Sequence, residues 1–351
     1  MPLTGVKLEN FTVFEKLEME FSPGINVLIG PNGSGKTHLM KVLYSAVRAT
    51  NPKTPFLDRM LHCFLPDDYE IDRLVCNKPQ TVEATVTVIG LDRTDYQEYS
   101  ISTRIPHQIE RTSFENLVVE KIPPLYDLFW KRKSICTGSI FIPAKEMLLN
   151  TYKLNASVEV NHLAFDSTYL DVVNAAKIIA LTEPMPEQEA LLHRIEEITG
   201  GTVYYDERRD EFYLVRGDNQ MEFSLVAEGI RKLALLWQLI HNRHLVKGSI
   251  LFWDEPEANI TPSNIPLIVD TLLELQRGGV QIFLATHDYF LCKYLDVRCK
   301  NSDSIQYHSL FRTEDSVAME NGEKFEELSH NSIIDTSINV YREEVEKVFA
   351  S

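Results

Sequence analysis

One stretch decides the fold of this chain: Gly30-Pro31-Asn32-Gly33-Ser34-Gly35-Lys36-Thr37, which has the spacing G-x-x-x-x-G-K-[ST] of a phosphate-binding loop. It follows the apolar run 24–30 (GINVLIG), which predicts a buried strand. It precedes 37–47 (THLMKVLYSAV), whose apolar residues recur at helical spacing. A phosphate-binding loop needs strand, loop and helix in this order. The sequence therefore predicts an α/β fold of the P-loop NTPase type that binds a nucleotide.

Each residue type in this loop has a chemical reason. Glycine at positions 30, 33 and 35 lets backbone N–H groups turn toward a β-phosphate, and the start of the following helix adds partial positive charge. The Lys36 ammonium is expected to reach the β- and γ-phosphates, and the Thr37 hydroxyl is expected to hold Mg²⁺. We therefore expect ATP and Mg²⁺ as cofactors. The expected nucleotide contacts are Gly30, Pro31, Asn32, Gly33, Ser34, Gly35, Lys36, Thr37 and the adjoining His38.

Two further apolar runs end in polar residues that suit phosphate chemistry. The run 249–254 (SILFWD) leads into Glu255-Pro256-Glu257, and 280–285 (VQIFLA) leads into Thr286-His287-Asp288. We expect the first strand to lie next to the P-loop strand, with Asp254 as a Mg²⁺ ligand and Glu255 as the general base for the attacking water. Strand ends of a parallel sheet meet at the ligand edge, so His287 could contact the γ-phosphate. The alternatives are a solvated strand end and a surface or helix-capping histidine.

These three motifs, in this order and spacing, resemble those of the ABC-type ATPases. The N-terminal segments 8–11 (LENF) and 21–26 (FSPGIN) are similar to the opening of the RecF, SMC and OLD-like (AAA_21-like) branch rather than of transporters. The resemblance implies an ABC-type ATPase head in which two ATPs lie between two heads, each site being completed by a signature loop from the opposite subunit. It also implies a stand-alone prokaryotic ATPase, many of whose relatives are associated with defence against phage.

The resemblance carries over to two less regular motifs. The signature candidate is 224–232 (SLVAEGIRK), in which Glu228, Gly229 and Arg231 are expected to contact the partner's nucleotide, although the family's Ser-Gly-Gly is replaced by Ala-Glu-Gly. An ordinary helix start is the alternative. In 141–146 (FIPAKE) the family's sensing Gln would fall on Ala144. Glu146 is therefore a candidate metal-sensing ligand, and altered coupling is the other possibility.

The motif spacing predicts one ATPase head over residues 1–351. An N-terminal lobe, 1–146, would carry the P-loop and an antiparallel β subdomain formed by 82–89 and 98–105. A helical insertion with a hairpin would occupy 147–224, an interval too short for coiled-coil arms. The lobe 225–351 would hold the signature, Asp254, the His287 loop and a C-terminal helix. We expect the amphipathic helix 333–350 to pack on its own domain, and docking a partner protein is the alternative.

The composition of the chain disfavours several functional classes. The chain of 351 residues carries 35 Lys and Arg against 51 Asp and Glu, a formal net charge of −16, which argues against gripping nucleic acid by bulk charge. The five cysteines are scattered and odd in number, which is typical of reduced thiols. The sequence shows neither a signal peptide nor a long apolar run, so we expect a cytoplasmic protein without a membrane segment. No nuclease-like constellation follows the His287 loop. We therefore expect an ATP-sandwich homodimer or higher oligomer that regulates a separately encoded effector in antiphage defence.

Three alternatives stay open at this point. A RecF-like repair ATPase would bind DNA directly, through basic groups such as 131–133 (KRK) and 208–209 (RR). A transporter nucleotide-binding subunit is opposed by the strand-rich insertion and the unusual signature. A non-hydrolysing ATP switch would bind nucleotide without consuming it.

Overall fold

The computed structural model describes residues 2–49, 55–76, 78, 81–92, 97–107, 138–152, 154–161, 164–178, 186–314 and 316–350. The basic group 131–133 lies outside these residues. The strands are β1 Leu3–Phe11, β2 Phe14–Glu20, β3 Ile25–Ile29, β4 Glu83–Asp92, β5 Gln97–Pro106, β6 Ser139–Ile142, β7 Thr202–Asp206, β8 Glu211–Arg216, β9 Asn219–Glu222, β10 Ile250–Asp254, β11 Gln281–Ala285, β12 Ile305–Arg312 and β13 Val317–Gly322. The helices are α1 Lys36–Arg48, α2 Phe56–Phe64, α3 Leu154–Asn161, α4 Ser167–Lys177, α5 Pro186–Thr199, α6 Glu228–His241, α7 Ile265–Arg277, α8 Tyr289–Arg298 and α9 Ser332–Ala350.

A six-stranded sheet in the order β13-β12-β3-β11-β10-β6 forms the centre of the fold. Its neighbours pair in parallel except for β13, which runs antiparallel to β12 at the edge. Every residue of β3, β10 and β11 is buried, as the continuous apolar runs predict for parallel strands covered on both faces. The expectation that β10 adjoins β3 is wrong, because β11 lies between them. The predicted α/β P-loop class is confirmed.

The two smaller sheets are antiparallel. In the sheet β2-β1-β4-β5, the predicted pair of 82–89 and 98–105 is present as β4 and β5, and it packs with the N-terminal hairpin. In the sheet β7-β8-β9, the predicted hairpin is present and gains a third strand. Val6 and Leu8 of β1 are buried while Lys7 and Glu9 between and after them face solvent, the alternation of a sheet covered on one face.

The central sheet separates two apolar cores because successive side chains along its strands point to opposite faces. Leu28, Phe252 and Phe283 join the core that contains α1 and the sheet β2-β1-β4-β5. Trp253 and Leu284 join the core that contains α6, α7 and the insertion. Each core therefore fixes one side of the strand ends that carry the P-loop and the acidic motif. No helix in the described part of the chain is long and apolar enough to cross a membrane.

Helix α9 projects from this body. Ile333 and Ile334 at its start pack against the core, but the apolar side chains farther along are exposed, including Tyr341 at 67% and Phe349 at 86%. The predicted helix is thus present, whereas the expectation that its apolar face packs on its own domain is wrong. An amphipathic pattern predicts a helix and an apolar face, but it does not specify which surface covers that face.

Candidate nucleotide-binding site

The phosphate-binding loop is held between two neighbouring elements that leave no room for side chains at its glycines. Gly30 has φ +144°, and a Cβ there would lie 2.1 Å from the carbonyl oxygen of Leu310 on β12. Gly35 has φ +91°, and a Cβ would lie 2.4 Å from the ring of Phe14 on β2. Both positions therefore require glycine for conformation and for space. The β12 and β2 contacts fix the path of the loop into α1.

Lys36 is the cation of this loop. Its Nζ donates hydrogen bonds to the carbonyl oxygens of Gly30 at 2.8 Å and Pro31 at 3.1 Å. Burial lowers the pKa of Lys36 to about 8, an effect that the nearby carboxylates of Asp254 and Glu255 partly oppose. A buried ammonium that is bound only to carbonyl oxygens is well placed to exchange them for an anionic phosphate.

Thr37 and Asp254 meet one residue farther along α1. The Thr37 hydroxyl donates to Oδ2 of Asp254 at 2.9 Å, which joins the start of α1 to the end of β10. Burial raises the pKa of the Asp254 carboxyl, so a cation at this point would stabilise its charged form. A hydroxyl and a carboxylate are hard oxygen donors of the kind that Mg²⁺ prefers. The pair fits a Mg²⁺ ion, with phosphate and water supplying the other ligands.

Among the described residues no group of three or more His, Cys, Asp or Glu side chains could hold a metal ion by itself. This agrees with how Mg²⁺ is usually held beside a nucleotide, through one or two protein ligands and the phosphates.

Glu255 and His287 lie beside the Thr37–Asp254 pair. The His287 Nε2 is 3.7 Å from Oε1 of Glu255, and both side chains are about one-third exposed. Burial and the Lys36 charge lower the pKa of His287, so the ring is neutral at neutral pH. The Glu255 backbone has φ +48°, and its N–H donates to the carbonyl of Ala285 at the end of β11. The sheet thus brings together an accessible carboxylate and an imidazole at one edge.

Glu257 has a different role from Glu255. Its Oε1 accepts hydrogen bonds from the Thr286 hydroxyl at 2.8 Å and from the His287 N–H at 3.0 Å. Burial raises the pKa of the Glu257 carboxyl, with these hydrogen bonds acting in the opposite direction. Glu257 therefore fixes the loop that carries His287. Helix α8 is capped by Asp288, which accepts from the N–H of Leu291 at 2.6 Å, so His287 is not the helix-capping residue.

The signature candidate forms the start of α6, as the sequence predicts. Ala227 is its N-cap, and a Cβ on Gly229 would lie 2.2 Å from the carbonyl oxygen of Asn259. The Asn259 side chain in turn donates to the Glu228 carboxylate at 2.9 Å. The preceding Leu225 is 72% exposed. The start of α6 is thus packed on the loop after β10 on one side and accessible from the other.

Glu146 and Arg231 do not sit as the sequence analysis expects. Arg231 Nε donates to Oε2 of Glu146 at 2.6 Å, and its Nη1 donates to the carbonyls of Phe223 and Val226. The other Glu146 oxygen accepts from the N–H of Leu148. Both side chains are buried and bond to each other and to backbone. This arrangement does not support Glu146 as a metal ligand or Arg231 as a nucleotide contact, because either role would break the buried pair.

Sequence reasoning missed two basic residues near the site. The Arg312 guanidinium lies against the P-loop, since a Cβ on Gly33 would be 2.8 Å from its Nη2. Arg312 ends β12, which runs parallel to β3, so the rule that strand ends collect at the ligand edge could have identified it. Lys232 lies beneath the Glu255 backbone, and no pattern in the sequence distinguishes it from its neighbour Arg231. The ring of His38, the last expected contact, packs edge-on against Phe64.

Comparison with known proteins agrees with this geometry. The family described as "AAA domain, putative AbiEii toxin, Type IV TA system" (AAA_21) matches residues 25–293. The DNA replication and repair protein RecF of Listeria welshimeri is 31% identical over 88 residues, which cover 25% of this chain and 24% of the relative. RecF of Actinobacillus pleuropneumoniae serotype 5b is 34% identical over 62 residues, covering 18% and 17%. The chain spans about a quarter or less of the length of these curated relatives.

Solved structures show the same fold at low sequence identity. The SMC head bound to the C-terminal winged-helix domain of ScpA has a TM-score of 0.56 and 13% identity, covering 92% of this chain and 98% of that one. An SMC head with an extended coiled coil, bound to the C-terminal domain of ScpA derived from Pyrococcus furiosus, has a TM-score of 0.54 and 12% identity, covering 97% and 99%.

Proposed function

The chain belongs to the AAA_21 family, and we propose that it is an ATPase of the RecF/SMC type that binds ATP with Mg²⁺ and hydrolyses the bond between the β- and γ-phosphates. The observation that carries the proposal is the hydrogen bond between Thr37 and Asp254 at 2.9 Å, with Glu255 and His287 at the same edge of the sheet. These side chains come from one helix and two strands that are far apart in sequence. Their convergence beside a P-loop supports phosphoryl chemistry rather than a chance glycine-rich turn.

Each side chain at the site has a separate role in the proposed reaction. Lys36 and the loop N–H groups bind the phosphates, while Thr37 and Asp254 would hold Mg²⁺, which when bound offsets the phosphate charge. Glu255 accepts a proton from the attacking water, because its carboxylate is accessible at the edge of the sheet. His287 lies 3.7 Å from that carboxylate and helps to orient the water. Glu257 acts through backbone and the Thr286 hydroxyl to keep His287 in place.

Steady-state ATP hydrolysis by the purified chain with Mg²⁺ tests this proposal. We expect turnover in the wild type and its loss in the Glu255→Gln variant, with ATP binding retained. Nucleotide binding without turnover in the wild type would instead favour the non-hydrolysing switch. Absence of ATP binding would contradict the P-loop assignment itself.

A dimer around ATP is the second part of the proposal. The start of α6 is partly accessible to solvent, and Leu225 beside it is 72% exposed. A helix start with a glycine is suited to an anionic γ-phosphate on a second copy. Light scattering of the Glu255→Gln variant with and without ATP tests this. A mass that stays monomeric with saturating ATP would exclude the ATP sandwich.

The biological setting is the third part of the proposal. The family description names a putative AbiEii toxin and a type IV TA system. The proposed role, in which this ATPase regulates a separately encoded effector in prokaryotic antiphage defence, rests on the resemblance to stand-alone ATPases of this branch. The exposed apolar residues of α9 and the net charge of −16 are compatible with a protein partner. Co-purification of the tagged chain with the products of neighbouring genes is the direct test. No association with any of them would count against this part.

The RecF relatives favour one alternative function, direct binding of DNA. Arg208 and Arg209 are exposed in the turn between β7 and β8, where acidic residues flank them and Arg209 Nε lies 3.9 Å from Oδ2 of Asp206. A filter-binding titration with DNA at several salt concentrations distinguishes direct DNA binding from the proposed role with a protein effector. Each phosphate contact adds to the slope of log affinity against log salt concentration. A slope near zero would exclude the alternative, and a slope lost in an Arg208→Ala/Arg209→Ala variant would support it.

A further inference from the structure

Lys232 is a buried lysine on α6 that none of the expected site roles includes. It is 2% exposed, and its Nζ donates to the carbonyl oxygen of Glu255 at 2.5 Å and to that of Ala258 at 3.3 Å. Burial lowers the pKa of Lys232, while the surrounding carboxylates, Glu257 first among them, raise it. An ammonium is costly to bury unless its donors are satisfied, so this one is tied to the loop that it contacts.

The contact acts on the backbone of the residue assigned as general base. Glu255 has φ +48°, a left-handed conformation that is unfavourable for a residue with a Cβ. Such a conformation persists only where the surroundings enforce it. The Glu255 N–H is fixed by Ala285 and its carbonyl by Lys232. These two bonds hold the peptide groups on both sides of the Glu255 Cα and so set the direction of its carboxylate.

The same helix grips the loop at a second point. Glu228 accepts from the Asn259 side chain, and Gly229 lets the Asn259 carbonyl approach the helix closely. Helix α6 thus holds both ends of the segment 255–259, Lys232 at one end and the signature residues at the other. Lys232 follows Gly229 within one helical turn. A displacement of the start of α6 therefore also moves the Glu255 backbone.

We propose that Lys232 is a positioning residue that fixes Glu255 for catalysis and couples it to the signature end of α6. This rests on the proposed ATP-sandwich dimer, in which the start of α6 contacts nucleotide bound mainly by the partner. Engagement of that nucleotide is then transmitted through Lys232 to the general base of the other site.

The test compares Lys232→Met, Lys232→Arg and the matched control Gln238→Met. Gln238 is also a buried residue of α6 whose side chain donates to a carbonyl, that of Ala176 at 3.0 Å, but this carbonyl belongs to α4 and not to the loop after β10. Hydrogen exchange is measured first, on peptides covering 254–260. We expect at least about tenfold faster exchange there in Lys232→Met and no change there in Gln238→Met. Unchanged exchange in Lys232→Met, or equal acceleration in both, would overturn the positioning role.

ATP turnover is the second readout. We expect kcat to fall at least about tenfold in Lys232→Met with KM within twofold of wild type, because the P-loop is untouched, and Lys232→Arg to recover part of the loss. A KM change with kcat retained would overturn the inference. If the wild type does not hydrolyse ATP, the proposed function fails while hydrogen exchange still decides the positioning. If Lys232→Met does not fold, the same comparison is made with Lys232→Arg, which keeps the charge but cannot reproduce the compact ammonium.

Discussion

Arg231 and Glu146 form a buried ion pair, with Arg231 Nε 2.6 Å from Oε2 of Glu146. The pair joins α6 to the segment after β6. The family resemblance predicts that Arg231 contacts the nucleotide and that Glu146 binds the metal, but here the two side chains bind each other. The pair therefore indicates that Glu146 and Arg231 stabilise the fold. Substitutions at these positions can distinguish this role from binding of the metal or the nucleotide.

Glu146→Ala is expected to lower the free energy of unfolding by about 3–5 kcal/mol, because Arg231 would be left as an unpaired buried charge. The Mg²⁺ concentration for half-maximal ATP turnover should not change. Urea denaturation and a Mg²⁺ titration of activity measure the two effects, and Arg231→Met with the double variant completes a cycle. A large shift in the Mg²⁺ requirement at unchanged stability would return Glu146 to the metal site.

Lys36→Ala is expected to abolish ATP binding, since the phosphates would lose their fixed cation in a buried loop. The ligand-free protein should remain folded, because Lys36 Nζ bonds only to carbonyl oxygens of the loop. Calorimetric titration with ATP checks binding, and circular dichroism checks folding. Lys7→Ala, on the exposed face of β1, is the control. An unchanged ATP affinity in Lys36→Ala would refute the P-loop assignment.

Glu255→Gln is expected to keep ATP binding, lose hydrolysis by at least about 100-fold and accumulate ATP-bound dimers, because it removes the proton acceptor and keeps the shape. The matched variant is Glu257→Gln, whose amide can still accept from Thr286 and His287. We expect only a modest loss there. A single-turnover assay measures both, and the reverse order of effects would move the base to Glu257.

Gly229→Ala should destabilise the packing of α6 on the loop after β10. The added Cβ would meet the Asn259 carbonyl at 2.2 Å, and overpacking of this kind costs about 1–3 kcal/mol. We expect ATP turnover to fall together with the loss of stability. Gly278→Ala is the control, since its Cβ would stay 3.2 Å from the nearest atom. Equal melting temperatures for the two variants would contradict the close approach.

His308 makes stability depend on pH. Burial lowers its pKa to about 4, and Nε2 lies 3.3 Å from Oδ1 of Asn26. The unfolded chain therefore binds more protons than the folded chain between pH 4 and pH 6.5, so stability falls as the pH falls through this window. His308 alone should contribute a loss of about 2 kcal/mol between pH 7.5 and pH 5. Urea denaturation at both values, with His308→Gln lacking this component, measures it.

Much of the fold and the site could be predicted because their determinants are local. The loop 30–37 with its flanking strand and helix, the strand ends at Asp254 and Thr286, and the helix start at Gly229 all depend on residues close in sequence. The order of strands could not be predicted in the same way. The expectation that β10 adjoins β3 was wrong because strand order depends on long-range packing, and no periodicity in either strand encodes it.

The side-chain partners were the least predictable part of the site. Glu146 and Arg231 are 85 positions apart and become a pair only when β6 and α6 pack together. Lys232 and Arg231 are adjacent and chemically similar, yet helical geometry sends one beneath Glu255 and the other to Glu146. Arg312 comes to the P-loop through the pairing of β12 with β3. Each of these depends on tertiary contacts that a linear motif does not contain.

The position of β3 has a consequence for how the protein is made. Both strands that pair with it, β11 and β12, lie about 250 residues or more later in the chain. During synthesis on a ribosome, β3 therefore cannot pair with either neighbouring strand until most of the polypeptide has emerged. Contacts of such long range slow folding, because loop closure precedes the gain in pairing. A nascent chain can thus acquire its nucleotide site only late in synthesis, when the signature helix and the His287 loop are already available to complete it.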